Sequence, residues 1–388
     1  MTTEIVITNR EGIAMAADST QTITSESGPE KTYPYGNKLF AVSYNHPIGI
    51  MVYNNSSYYG TPWETLIKFH RKEIANKKYN RLREYVDDFI AFIEKQSIPI
   101  EIQKSVTYSS FLTFHIIIKK DIGSLFGTEY EITEELIVRY FNNVLENLQE
   151  NTTHKNINDD KFIEEIMNER DVIQDLIQIY GIELYKNYTK FIEEINKLYF
   201  ERMAHVSTGI VIAGYGEEES LPTIFEINIS ECRNNRLVYS LKEDTDTEGC
   251  VYTFAQCEMV ETFLYGVSQN FVDETTRIIK NNCSSESEQK AITNQIQNIA
   301  KSNFNKTAEV ISILQKPQMA TMAETLVNMT SFRKTISLDM ETVGGPVDVA
   351  VISKTEGFIW IKRKQYFDIS LNPHFNSRYY KSIQERET

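Results

Sequence analysis

Apolar positions recur along the chain in two rhythms, and the rhythms come in blocks. In the first block the runs are short and cut by turn residues. Ile5-Val6-Ile7 and Ile13-Ala14-Met15-Ala16-Ala17 are separated by Asn9-Arg10-Glu11-Gly12. That pattern predicts an antiparallel hairpin ending at Asp18. A polar loop rich in Ser and Thr is expected from Thr20 to Glu30, followed by strand-like segments at Lys31-Thr32-Tyr33, Lys38 to Ser43 and Ile48 to Tyr53. The next block is helical. Thr61-Pro62-Trp63-Glu64 reads as a helix start, with Thr61 as cap, Pro62 at the first helical position and Glu64 closing a capping box. A second helix is expected at about 81–95, where Leu82, Tyr85, Val86, Phe89, Ile90 and Ile93 share one stripe, and Pro99 ends it.

Residues 97–203 differ in texture, being rich in Glu, Asn, Lys, Ile and Tyr. Helical periodicity is strong at 133–149, 160–179 and 182–201; in the last, Leu184, Tyr188, Phe191, Ile195 and Leu198 share a face. Ser110 to Lys119 fits either a strand or a buried helix, and Asn151 to Asp160 reads as a loop. Strands resume at His205–Tyr215, Pro222–Ser230 and Arg236–Glu243. Helices are expected at about 255–282, 285–304 and 318–333. Val347–Ser353 and Phe358–Lys364 close the chain as a hairpin turned by Thr355-Glu356-Gly357. Strands grouped in antiparallel sets, with helices between the sets, predict an α+β fold with two sheets covered by helices, not a doubly wound parallel sheet. The expected organisation is one discontinuous domain over 1–96 and 204–370, a helical insertion at 97–203, and a C-terminal tail at 371–388.

Composition narrows the function. Among 388 residues, 40 Lys and Arg face 54 Asp and Glu, a formal charge of −14. This argues against a nucleic-acid partner, which needs clustered cations. No apolar run approaches the roughly 20 residues of a membrane helix, and Met1-Thr2-Thr3-Glu4 carries no basic or apolar leader. A cytoplasmic protein without a membrane partner is expected. The four cysteines (Cys232, Cys250, Cys257, Cys283) form no CxxC pair, and the six histidines show no ligand spacing, so no metal and no cofactor are expected. Gly344-Gly345-Pro346 lacks the lysine of a phosphate loop and reads as a turn. Gly214-Tyr215-Gly216-Glu217-Glu218-Glu219 reads as a strand-end loop, and Lys362-Arg363-Lys364 as surface.

The informative chemistry lies in the first 31 residues. Removal of Met1 would leave Thr2 at the N-terminus, with a hydroxyl and a free α-amine on one residue. The hydroxyl is a weak nucleophile until a base takes its proton, and the amine, with a reference pKa of about 7.7–8.0, can be that base. A nearby cation, placed by a carboxylate, would keep the amine neutral. The hairpin returns Asp18 toward Thr2, and Lys31 opens a following strand.

Thr2-Thr3-Glu4-Ile5-Val6-Ile7 through Gly12-Ile13-Ala14-Met15-Ala16-Ala17-Asp18-Ser19 resembles the start of a mature proteasome beta subunit. That family begins with a catalytic Thr-Thr and continues to an apolar strand ending in Ala-Ala-Asp-Ser, and the spacing from Thr2 to Asp18 matches without a gap. Trp63-Glu64-Thr65-Leu66 is similar to the family's first helix, and Val343-Gly344-Gly345 stands where the family has Ser-Gly-Gly. The chain also resembles bacterial proteasome-like proteins with a large helical insert. The resemblance implies an N-terminal-nucleophile (Ntn) hydrolase fold, a four-layer αββα sandwich, over residues 2–96 and again from 205; residues 97–203 have no counterpart in it. It implies Thr2 as nucleophile, Asp18 and Lys31 as its catalytic partners, and an oxyanion N–H at Asn54. Lys38 competes with Lys31, whose spacing to the next strand fits better. The family's accessory Ser and Asp have no direct match, since Val343 and Met340 stand there; Asp339 or Glu341 could serve after a small shift.

The expected activity is therefore threonine-type hydrolysis of an amide, most simply a peptide bond, in a homo-oligomer, with an ATPase partner left open. Two alternatives stand beside it: a catalytically inactive proteasome-like assembly or partner-binding protein, and a small-molecule amidase on the same fold. The insertion reads either as an elaborated helical layer or as a lid or docking element.

Overall fold

The computed structural model describes residues 3–25, 28–43, 45–125, 134–150, 160–202, 207–245, 249–256, 258–282, 285–337, 343–374 and 377. The chain opens with β1 (Thr3–Asn9), β2 (Gly12–Ala17), β3 (Gln21–Ser25), β4 (Gly28–Tyr33), β5 (Leu39–Ala41), β6 (Ile48–Asn54) and the two-residue strands β7 (Ser57–Tyr58) and β8 (Thr61–Pro62). Eight helices follow: α1 (Trp63–Ile74), α2 (Leu82–Glu94), α3 (Ile100–Leu125), α4 (Glu134–Glu150), α5 (Asp160–Glu169), α6 (Val172–Tyr180), α7 (Ile182–Asn187) and α8 (Thr189–Arg202). Then come β9 (Thr208–Gly214), β10 (Thr223–Arg233), β11 (Arg236–Asp244) and β12 (Cys250–Ala255). The last elements are α9 (Glu258–Tyr265), α10 (Gln269–Asn282), α11 (Glu286–Ile311), α12 (Lys316–Thr335), β13 (Asp348–Ser353) and β14 (Gly357–Lys362).

Two five-stranded sheets form, ordered β12-β1-β2-β13-β14 and β11-β10-β9-β6-β5. The first is antiparallel throughout. Its central strands are buried on both faces, which is why β1 and β2 read as unbroken apolar runs instead of alternating ones. On one face Ile5, Ile7, Ala14 and Ala16 pack with Val260 of α9, Ile311 of α11, and Met319, Ala323 and Val327 of α12. On the other, Val6, Ile13 and Met15 meet Met51, Val211 and Ala213 of the second sheet. The hairpin turn needs Gly12, because a Cβ there would stand 2.6 Å from the carbonyl oxygen of Ile352.

The chain divides into two compact units, 1–86 with 210–225 and 243–388, and 87–209 with 226–242. The second takes residues from beyond the expected insertion because they are tied to its helices. Gln103 Nε2 donates to Asn235 Oδ1 at 2.7 Å, and Asn235 N donates back to Gln103 Oε1 at 3.0 Å. Leu237 N donates to Glu94 Oε1 at 3.1 Å. Ser110 to Lys119 resolves as helix within α3. Tyr108, Phe111, His115, Ile118 and Ile122 form its buried stripe, while Ile116 and Ile117 are exposed. Phe111, Tyr199, Phe141 and Tyr188 belong to the core of this unit.

Several elements depart from the sequence expectation. The stretch 20–30 is mostly a hairpin, β3 with β4, instead of a loop. Helix α1 starts one residue later than expected and its Pro62 cap makes no side-chain bond; Glu64 pairs with Lys68 and Asn37 in place of closing a capping box. The expected helix at 255–282 is broken at Gly266, whose N–H closes α9 on the Thr262 carbonyl. The expected helix at 160–179 breaks at Asp171, whose side chain caps α6 through Gln174 N. Strand β12 was not expected. Most of the loop expected at 151–160 and of the C-terminal tail lies outside the described residues, among which no helix is long and apolar enough to cross a membrane.

Candidate active site

The β1–β2 ladder pairs Glu4 with Ala17, so one step further Asp18 lies against Thr3. Asp18 N donates to the Thr3 carbonyl at 3.3 Å, and Thr3 N donates to Asp18 Oδ1 at 3.1 Å. The same oxygen accepts Lys38 Nζ at 2.6 Å, and both side chains are almost wholly buried. Asp18 Oδ2 accepts Thr20 N and Gly344 N, each at 3.1 Å. Four donors thus replace the water that burial removes from this carboxylate.

Two loops hold the pair. Lys38 stands at the head of β5, its carbonyl accepting Val52 N at 3.0 Å. Gly345 turns with φ 74°, and a Cβ there would meet the Pro34 carbonyl oxygen at 2.7 Å. Ser19 joins the two loops: its N–H donates to Gly344 O at 3.1 Å, its hydroxyl to Pro346 O, and its carbonyl accepts Gly36 N at 2.7 Å.

The structure brings Asp18 and Lys38 together and leaves Lys31 apart. Lys31 is exposed on β4, its ammonium 5.1 Å from the centre of the Tyr33 ring. The expected pairing of Asp18 with Lys31 is not what forms; Asp18 pairs with Lys38, and the physical reason is burial. Lys31 is exposed, whereas Lys38 is buried and borders the apolar run Leu39-Phe40-Ala41-Val42, all buried. That border was the available signal. Thr2, Asp339 and Glu341 lie outside the described residues. Asn54 ends β6 with φ 69°, a left-handed conformation that asparagine tolerates. The preceding residue's ring is 5.7 Å from that of Phe254, which pairs with Glu4, so Asn54 sits at the same end of the sheets as Thr3. Ala255, opposite Thr3, is also left-handed at φ 66°, and such non-glycine strain gathers where structure over-determines the backbone.

A second polar pair was not anticipated. Ser43 Oγ hydrogen-bonds His46 Nδ1, and His46 Nε2 donates to the Lys77 carbonyl at 2.7 Å. Burial lowers the His46 pKa against the opposing pull of that carbonyl. Ser43 and His46 are both 2% exposed, so the pair braces a turn out of a substrate's reach. Among the described residues no three His, Cys, Asp or Glu side chains gather as metal ligands.

Chemically, the Asp18–Lys38 pair is neutral as a whole and fixes one ammonium, on a buried carboxylate, close to the first described residue of β1. No family model matches the chain, and no curated protein matches it. A solved structure aligned over 100% of both chains, the Anbu (Gly-1) mutant from Hyphomicrobium sp. strain MC1, is 10% identical with a TM-score of 0.31. A likeness of that degree carries no weight for fold or function.

Proposed function

We propose that the chain is an N-terminal threonine hydrolase of the Ntn type, cleaving amide bonds and most readily peptide bonds, with Thr2 freed by removal of Met1. The observation that carries this reading is the buried Asp18–Lys38 pair hydrogen-bonded to the amide of Thr3, the residue to which Thr2 is joined. An ammonium near the Thr2 amine disfavours a second positive charge and keeps the amine a base. Asp18 positions the ammonium. In the proposed reaction Thr2 Oγ attacks the amide carbon and its proton passes to the Thr2 amine. A backbone N–H near Asn54 steadies the oxyanion, and the amine's proton then goes to the departing nitrogen. Water hydrolyses the acyl ester and restores Thr2. Lys38 takes the part that spacing alone gave to Lys31. The four-layer sandwich belongs to the same reading, supported by the packing of α9, α11 and α12 on one sheet and of that sheet on the other.

The test is the intact mass of the protein with and without an epoxyketone that reacts with both the hydroxyl and the α-amine of an N-terminal Thr. One probe mass on a chain beginning at Thr2, absent from a folded Thr2→Ala variant, is the expected result. A retained Met1, or an exposed Thr2 that never reacts, overturns the reading. One observation favours the second reading, an assembly or partner-binding protein without turnover. Phe263, Phe271, Ile278, Ile299 and Phe332 on α9 to α12 are each more than half exposed, a surface that further copies would cover. A defined oligomer by sedimentation together with a retained Met1 would select it.

A further inference from the structure

One cleft runs against the charge of the chain. Its walls include Glu64, Lys68 and Arg71 of α1, Asp348 of β13, Trp360 of β14 and Arg363 just beyond, around about 410 Å³ of open space that includes solvent at the mouth. Asp348 is the ladder partner of Ala17, and the lining residues Asn37 and Leu39 flank Lys38. The cleft is thus one residue removed from the Asp18–Lys38 pair on two strands.

In a chain of net charge −14, Lys68, Arg71, Arg363 and the adjoining Lys364 meet only two carboxylates here. Both carboxylates already have a donor on each oxygen. Glu64 accepts Lys68 Nζ and, at 3.1 Å, Asn37 Nδ2. Asp348 accepts Lys364 N at 2.8 Å on one oxygen and Lys364 Nζ on the other. Arg71 is anchored on the Ala41 carbonyl. Arg363 differs from all of these. Its guanidinium carbon lies 4.7 Å from the centre of the Trp360 ring, and it makes no hydrogen bond among the described residues. The ring contact holds the guanidinium and consumes none of its five N–H donors. The charge of Arg363 reaches Glu64 without a hydrogen bond to it, so the Arg363 guanidinium keeps its donors in a cleft lined by three cations and two carboxylates.

We propose that this cleft binds a carboxylate, seated on Arg363 with Arg71 and Lys68 at the wall and Trp360 as the apolar floor. A planar group with two oxygens matches the guanidinium fork. The proposal stands whether or not Thr2 is a nucleophile. The carboxylate can belong to a free small acid or to an acidic side chain of a peptide, and the test separates these sources.

The chain has two tryptophans; Trp63 is 1% exposed in the core, so a ligand in the cleft is reported by Trp360. The full chain is titrated with glutarate and with an end-blocked peptide carrying one Glu, each against its neutral amide counterpart. Emission is followed, with Trp360→Phe identifying the signal and calorimetry reading any binding that leaves emission unchanged. The expected result is saturable binding of an acid, none of its amide, and at least tenfold weaker binding by Arg363→Gln. Saturation by glutarate assigns a free acid; saturation by the Glu peptide alone assigns an acidic side chain. Equal response to acid and amide, failure of both acids to saturate, or unchanged affinity in Arg363→Gln overturns the proposal.

Discussion

A carboxylate taken out of water must recover its hydration from the protein, and Asp18 recovers it from three backbone N–H groups and one ammonium. The three amides are fixed by the backbone, so removing Lys38 leaves a buried charge short of its counterion. Lys38→Met is expected to lower unfolding stability by about 3–5 kcal/mol and to abolish labelling at Thr2. Lys31→Met should change neither, because Lys31 stands in solvent over Tyr33. Urea unfolding and intact mass on the two variants decide it, and the opposite pattern would return the role to Lys31. The place of Asp18 was legible from the sequence because the second apolar run of the hairpin ends on it and returns it toward the first residues of the chain. Which lysine would reach Asp18 was not legible, because spacing along a chain does not report burial. Gly344 N–H, the donor that closes the carboxylate's shell, comes from 326 residues away, and no local pattern could have announced it.

Elements were legible where one face or both faces are deeply buried. The β1–β2 hairpin, β13 and the stripe of α2 follow their apolar positions. Strand β14 has no buried residue and was legible from the turn at Thr355-Glu356-Gly357 that pairs it with β13. The helix expected at 182–201 splits into α7 and α8, and the buried stripe of α8 runs through Ile192, Ile195 and Tyr199 instead of Phe191 and Leu198. Strand β12 escaped because it is an edge strand, only partly buried over most of its length, so its side chains lack a clean alternation. The β3–β4 hairpin carries Thr22-Ile23-Thr24, a β-branched run, but its Ser and Thr content masked it as a loop. The turn at 343–347 makes an element-scale prediction. Gly345 at φ 74° faces the Pro34 carbonyl, whereas Gly60 at φ 82° has no atom within 4 Å of where a Cβ would go. Gly60→Ala should cost only the left-handed term, about 1–2 kcal/mol. Gly345→Ala should cost more, since a backbone oxygen must also move, and it should weaken labelling at Thr2 by disturbing the loop that supplies Gly344 N. Equal melting shifts in the two variants would mean that the Pro34 contact does not matter.

At the scale of the whole molecule, stability should fall on the acid side of neutrality in two windows. Burial lowers the His115 imidazole to about 4, while the unfolded chain titrates near 6.5. Between those values the unfolded chain takes up a proton that the folded chain refuses. Stability is therefore lost as pH falls from 6.5 toward 4, by about 2 kcal/mol at pH 5. His46 shifts in the same direction, again through burial. Glu64 works lower down. Partial burial raises its pKa, but hydrogen bonds from Lys68 and Asn37 and the charge of Arg363 outweigh that and hold it below its ordinary value. Its contribution is present above about pH 4.5 and fades below. The upper window can be assigned by His115→Phe, which fits among Phe111 and Phe114. This variant removes the titration and also the partner of the Tyr180 hydroxyl, 2.8 Å from His115 Nδ1. It should therefore be less stable at pH 7.5 yet lose less on going to pH 5, with His46 contributing to the slope that remains. Urea midpoints from helical circular dichroism across that range read both effects. A variant that is weaker by the same amount at every pH would show that His115 serves the packing of the helical unit and contributes nothing to its acid response.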